Sequence, residues 1–347
     1  MRLKRGTGTK RVAAILLSLL LAAALSACGS GNGSKNEGDT NQKPEETNKQ
    51  ADEKLSVVTS IYPIFFIATE IGGEHVDAVN LIPTGIDPHD WTPKSKELKA
   101  ASDAALFLYH GAELEGWVDG FLKGLSKDSK VITKVVSEGI DLIAGEHEEE
   151  GEEEHDHHEH AEEAEHDDHS GHHHEIDPHT WVSPKSALII AQNVKNSLIE
   201  ADPEHTDYYE QNYASLHDKL LHLDKQYEKK LGQAPQKNIV VSHQAFGYLA
   251  RDYGLKQVAI MGLNPEAEPL AQDILNIAKF VKEHNVKYIF FEELVSDQLA
   301  KMLASEAKVD TMVLNPLEGL TKEQQKSGEN YLTLMERNLQ NLVQALQ

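Results

Sequence analysis

Residues 203–230 read PEHTDYYEQNYASLHDKLLHLDKQYEKK. Tyr209, Tyr213, Leu216, Leu220, Leu223 and Tyr227 recur there at spacings of three and four, which places them on one face of a long helix. Asp202-Pro203 supplies a start signal, and Gly232 with Pro235 a stop. On the N-terminal side, β-rich runs at 55–64, 76–83, 104–110 and 130–135 alternate with helical patterns at 65–72, 93–101 and 114–125. On the C-terminal side the alternation repeats, with strands at 238–242, 255–260, 286–291 and 311–315. The helices of that series are expected at 244–252, 268–283, 297–305 and 322–346. Strand–helix alternation of this kind argues for parallel sheets. The predicted fold class is therefore α/β: two similar lobes with largely parallel sheets, joined by one long rigid linking helix. The expected boundaries are 54–202 for the N-terminal lobe, 203–234 for the linking helix and 235–347 for the C-terminal lobe. A helix between lobes acts as a stiff strut, so small lobe motions are expected.

The first residues read as an export signal. Arg2, Lys4, Arg5, Lys10 and Arg11 precede an apolar run over 12–25, too short to span a bilayer comfortably. Leu25-Ser26-Ala27-Cys28-Gly29 resembles a lipobox, in which the cysteine is lipidated and becomes the mature N-terminus. Cys28 is the single cysteine of the 347 residues, so no internal disulfide is available. Residues 1–27 are thus expected to be a lipoprotein signal peptide. Residues 28–53, with no large apolar side chain, are expected to form a disordered tether. The expected location is extracytoplasmic, with the chain held to the cell membrane by the lipid on Cys28.

Formal net charge is −24, and without the five cations of the signal it is −29. Such a surface repels nucleic acid and favours cations. Residues 146–175 hold 15 acids, no base and 10 of the chain's 19 histidines. This stretch is expected to be a solvated, disordered loop. His155, His157, His158, His160, His172, His173 and His174 are candidates for an auxiliary metal-gathering role there. The alternative is a solubilising loop whose histidines bind metal incidentally; acids alone would solubilise equally well, which favours the metal role.

Asp87-Pro88-His89-Asp90-Trp91 returns 90 positions later as Asp177-Pro178-His179-Thr180-Trp181. A histidine framed twice by proline and tryptophan suggests two imidazoles fixed for one ion. His243 ends an expected strand, and Glu318 follows another. In open α/β sheets, ligands bind beyond the carboxyl ends of strands. His89 and His179 fall in the first lobe and His243 and Glu318 in the second, which puts the site in the cleft. Spacing alone leaves Glu292 and Glu293 in competition with Glu318. Three imidazoles and a carboxylate suit Zn²⁺, whereas Ca²⁺ and Mg²⁺ take more oxygen donors. A shell filled by protein favours holding the ion over using it. Neither a His-Glu-x-x-His helix nor a serine elbow is present, so no enzyme is expected. His75, His110, His205, His217, His222 and His284 read as surface or satisfied core residues.

The two repeated frames, the acidic His-rich stretch, Ser242-His243-Gln244-Ala245-Phe246-Gly247-Tyr248, Phe291-Glu292-Glu293 and residues 314–320 carry a family resemblance. From about Leu55 onward the chain resembles the metal-binding lipoproteins of bacterial ABC importers, in their ZnuA/AdcA-like zinc-specific group (cluster A-I). The resemblance implies that His89, His179 and His243 are the zinc imidazoles. It also implies that Glu318 is the fourth donor, a place that some members give to water or a loop residue. Manganese-binding relatives carry an acid where this chain has His243. The implied function is extracytoplasmic capture of Zn²⁺ by a monomer and its delivery to an ABC permease. Alternatives are a manganese- or iron-binding importer component, or a metal-binding surface adhesin.

Overall fold

The computed structural model describes residues 54–89, 91–145, 176–265 and 269–347. The expected signal peptide, the tether, Cys28 and the His-rich stretch with its seven candidate histidines lie outside them. The first sheet is built from β1 (Leu55–Thr59), α1 (Tyr62–Gly72), β2 (Val76–Asn80), α2 (Ser95–Asp103), β3 (Leu106–Tyr109), α3 (Val118–Gly124) and β4 (Ile132–Val135). Its strands run in the order β2-β1-β3-β4, and every pairing is parallel. Two helices follow, α4 (Pro184–Ala201) and α5 (Thr206–Gly232). The second sheet contains β5 (Asn238–His243), α6 (Gly247–Tyr253), β6 (Lys256–Met261), α7 (Ala271–Glu283), β7 (Tyr288–Phe291), α8 (Gln298–Ala307) and β8 (Asp310–Val313). It is ordered β6-β5-β7-β8, again all parallel, and α9 (Lys322–Ser327) and α10 (Tyr331–Ala345) close the chain. The two sheets thus repeat one topology.

The linking helix α5 holds both halves. Tyr209, Leu216, Leu220, Leu223, Tyr227 and Leu231 are all buried along one stripe. Each contributes roughly 1.5–3 kcal/mol by leaving water. The stripe packs on α1 and α4 of the first half and on α6 and α10 of the second. One apolar core therefore runs from Val57 to Leu346 across both sheets. Tyr213 is only half-buried, and its hydroxyl donates to Gln192 Oε1 at 2.9 Å. At the far end, the Lys237 ammonium donates to the carbonyls of Leu231 and Gly232. That places a cation at the negative end of the helix dipole.

Most elements shift by a few residues from expectation, and three differences stand out. The first strand stops at Thr59, and α1 starts at Tyr62 with Pro63 in its first turn. Residues 61–67 are almost uniformly apolar, so periodicity cannot separate strand from helix there, while proline at a helix start is pre-organised. Residues 322–346 form two helices rather than one, because Gly328 adopts φ +75° and ends α9. Asn330 then caps α10, accepting from Thr333 N at 3.1 Å. The expected helix from 268 is helical only from Ala271.

Candidate metal centre

The candidate ligands come from four loops and strand ends. His89 lies in the loop after β2, His179 just before α4, and His243 is the last residue of β5. Glu318 sits in the loop after β8. Because both sheets are parallel, these are carboxyl ends of strands or neighbours of them, where backbone is free to turn and present side chains. His179 and His243 are wholly buried, Glu318 is 2 % exposed, and the His89 side chain is 4 % exposed.

Their donor atoms converge. His89 Nε2 lies 3.2 Å from His179 Nε2 and 3.2 Å from Glu318 Oε1. His179 Nε2 is 3.1 Å from the same carboxylate oxygen and 3.4 Å from His243 Nε2. His243 Nε2 to Glu318 Oε1 is 3.8 Å. Among the described residues this is the one group of three or more His, Cys, Asp or Glu whose donor atoms all lie within 4.8 Å of one another. A tetrahedron with bonds of about 2.0–2.1 Å has edges of about 3.3–3.4 Å. The measured edges bracket that value. Three nitrogens and one oxygen do not meet the demand of Ca²⁺ or Mg²⁺ for six or more oxygens.

Two imidazoles are aimed by carboxylates from behind. His179 Nδ1 is 2.8 Å from Asp177 Oδ1, and His243 Nδ1 is 2.6 Å from Glu292 Oε1. A hydrogen on each Nδ1 donates to its acid, which leaves the Nε2 lone pair facing the centre. The repeated Asp-Pro-His frame is an Asx turn in both copies. Asp87 Oδ1 accepts from His89 N at 2.8 Å, and Asp177 Oδ1 from His179 N at 2.9 Å.

The acids that compete on spacing have separate tasks. Glu292 serves His243 and also accepts from the Ser242 hydroxyl. Glu293 Oε2 accepts from Asn315 Nδ2 at 2.8 Å and Gln324 Nε2 at 2.6 Å, bracing the loop that carries Glu318. In that loop Leu317 is buried at φ +64°, a left-handed conformation unfavourable for a branched side chain. It is held by Leu317 N donating to Asn315 Oδ1 at 2.7 Å, and by two hydrogen bonds between Asn315 backbone and Asn338. Trp181 Nε1 donates to Pro316 O at 2.7 Å, so the tryptophan beside His179 also fixes the approach to Glu318.

His179 precedes α4, yet its segment is tied to the second half. Tyr248 donates to Asp177 O at 2.6 Å, Tyr331 to Trp181 O at 2.5 Å, and Ser183 to Asp252 Oδ2 at 2.5 Å. From the first half, His110 Nε2 reaches Thr180 Oγ1 at 3.2 Å, and its ring meets Trp181 edge-on at 4.9 Å. His110 is buried, and burial pushes its imidazole down to about 3, so it stays neutral. The sequence reading missed the roles of Asp177, Glu292 and Tyr248, while His110 is a core histidine as expected. The first had a visible signal, since an acid stands two places before histidine in both frames. The others follow only from the fold.

The electrostatics favour a cation. Burial alone would depress His179, but hydrogen bonds to Asp177 and Glu318 outweigh it and push the imidazole up to about 10. Burial is likewise outweighed at His243, raised by the charge of Glu292. Glu318 is held well below the usual carboxylate range: burial opposes this, and the charge of His89 and the bond to His179 prevail. Asp87 moves up to about 6 through burial and the nearby Glu318 charge.

Residues 57–345 match the ZnuA family, described as zinc-uptake complex component A, periplasmic. The zinc-binding lipoprotein AdcA of Streptococcus pneumoniae (strain ATCC BAA-255 / R6) is 42% identical over 296 residues, covering 85% of this chain and 56% of the relative. The chain thus spans little more than half the length of that relative. The high-affinity zinc uptake system protein ZnuA of Bacillus subtilis (strain 168) is 42% identical over 294 residues, covering 85% and 88%. The solved Zn(II)-bound ZnuA-like domain of Streptococcus pneumoniae AdcA superposes with TM-score 0.69 at 38% identity, covering 84% of this chain and 99% of that one. With the family match over 57–345, the sequence identities and the superposition in agreement, the chain belongs to the ZnuA family of zinc-uptake components.

Proposed function

We propose that the protein captures Zn²⁺ outside the cytoplasmic membrane and delivers it to the permease of an ABC importer. His89, His179, His243 and Glu318 would be the ligands, the ion being cargo rather than a resident catalyst. The observation that carries this reading is the spacing of the four donor atoms, 3.1–3.8 Å along the measured edges. Lone pairs and a carboxylate brought this close repel one another unless positive charge sits among them, and burial removes the water that would screen them. Capture then proceeds by exchange. Asp177 and Glu292 keep the Nδ1 hydrogens in place, and the ion displaces the proton shared between His179 Nε2 and Glu318 Oε1.

A site with all four positions filled by side chains offers no open place for a reacting water, which favours binding over hydrolysis. The lipid anchor on Cys28, the monomeric state, the domain limits at 54–202, 203–234 and 235–347, and zinc gathering by the 146–175 histidines belong to the same proposal. No described helix is long and apolar enough to cross a membrane. Zinc titration against a competing chelator tests the reading. Tight one-to-one binding is expected for the wild type and its loss for His89→Ala with His243→Ala. Retained tight binding in the double variant would refute the site.

A further inference from the structure

We propose that Gly247 and Tyr248 are positioning residues for zinc capture: they seat Asp177 against α6, and Asp177 aims His179 at the ion. The inference rests on the function proposed above. Gly247 opens α6, and its φ lies outside the left-handed region, so backbone conformation does not demand glycine there. Glycine is a poor helix former. What demands it is space, since a Cβ at this position would lie 2.5 Å from Asp177 Oδ2, well inside contact distance. The next residue fixes the same aspartate by its main chain. The buried Tyr248 hydroxyl donates to Asp177 O at 2.6 Å and accepts from Ile143 N at 3.1 Å.

Asp177 is therefore held on both sides. Its amide donates to Ile143 O at 2.9 Å, and an adjacent antiparallel bridge pairs Ala144 with Ile176. Its Oδ1 accepts from both His179 N and His179 Nδ1, while Oδ2 packs toward Gly247. Four residues earlier than Gly247, the same segment supplies His243. One short link from β5 into α6 thus carries one ligand directly and aims a second, which fixes the 3.4 Å between His243 Nε2 and His179 Nε2. Partners that orient metal-bound histidines change affinity by about 10–100-fold when lost.

The test uses the full chain, chelator-competition zinc titration and the visible absorption of the Co²⁺-loaded protein, whose band intensity reports tetrahedral geometry. Gly247→Ala is expected to weaken zinc binding by about 10–100-fold and to reduce those bands. Gly232→Ala, where an added Cβ meets nothing within 4 Å, should leave both unchanged. On an Asp177→Ala background, Gly247→Ala should cost nothing further, because the two act through one group. Wild-type affinity and spectrum in Gly247→Ala, or a loss that simply adds to that of Asp177→Ala, would overturn the inference. Should Gly247→Ala not fold, Tyr248→Phe decides: it keeps the ring and removes the hydroxyl, so weakened binding with an altered cobalt spectrum supports the inference and wild-type behaviour refutes it. Failure of the unmutated protein to bind zinc would instead strike at the proposed function.

Discussion

Glu292 Oε1 lies 2.6 Å from His243 Nδ1, with both side chains buried, His243 at the end of β5 and Glu292 directly after β7. The carboxylate fixes the tautomer that turns the Nε2 lone pair inward, and it adds negative charge one imidazole away from the ion. Glu292→Gln keeps the shape and removes the charge. Zinc affinity is expected to fall about 10–100-fold with the fold intact, read by competition titration beside circular dichroism. Unchanged affinity would show that Glu292 is not needed to orient His243.

Zinc and protons compete for the same centre, and the shifts give the direction. His179 is raised to about 10, so its contribution to the stability of the zinc-free protein is full below about pH 6.5 and is lost as pH climbs towards 10. Glu318 is depressed, so its contribution is full above about pH 4.5 and is lost as pH falls below that. For imidazoles of ordinary basicity, proton competition sets in below about pH 6.5. The buried Asp177–His179–Glu318 arrangement extends it well above neutrality. The gap in melting temperature between zinc-loaded and zinc-free protein should widen from pH 6.5 to 9.5, at up to about 1.4 kcal/mol per pH unit for each proton displaced. Thermal scans of preloaded and stripped protein measure it, and a constant gap would contradict the coupling.

Much of this was legible in the residues themselves. The apolar stripe over 209–227 marks α5 because its period is unmistakable, and the repeated Asp-Pro-His-x-Trp frame marks two histidines because both copies make the same Asx turn. The division of labour among Glu292, Glu293 and Glu318 was not legible. All three follow strands of the same sheet, and only the side-chain directions set by β7 and by Leu317 at φ +64° separate them. Nor did the sequence show that His179 is fastened to the second half, since Tyr248 and Tyr331 are 69 and 152 positions away from it.

Trp181 joins two ligand loops through a single hydrogen bond to Pro316 O. Trp181→Phe would leave that buried carbonyl without its donor and a small void beside His110. A loss of about 2–4 kcal/mol in unfolding free energy is expected from the unmet acceptor and the cavity together, measured by urea denaturation. Zinc affinity should drop as well, because Glu318 loses a restraint two residues away. A variant as stable as the wild type would remove Trp181 from the account.

Lys308 provides a contrast far from the ligands. It caps α8 at φ +61° and is exposed, so its side chain adds little while its backbone is strained. Lys308→Gly should stabilise the protein by roughly 1 kcal/mol and leave zinc affinity unchanged. Destabilisation would show that the lysine makes contacts worth more than the strain.

The most direct measurement is X-ray absorption at the zinc edge on the one-to-one complex. The account predicts four nitrogen or oxygen neighbours at about 2.0–2.1 Å, with outer-shell scattering from three imidazole rings. His89→Ala should reduce the imidazole count by one. A six-oxygen shell, or fewer than three imidazoles in the wild type, would contradict the convergence of His89, His179, His243 and Glu318 on one ion.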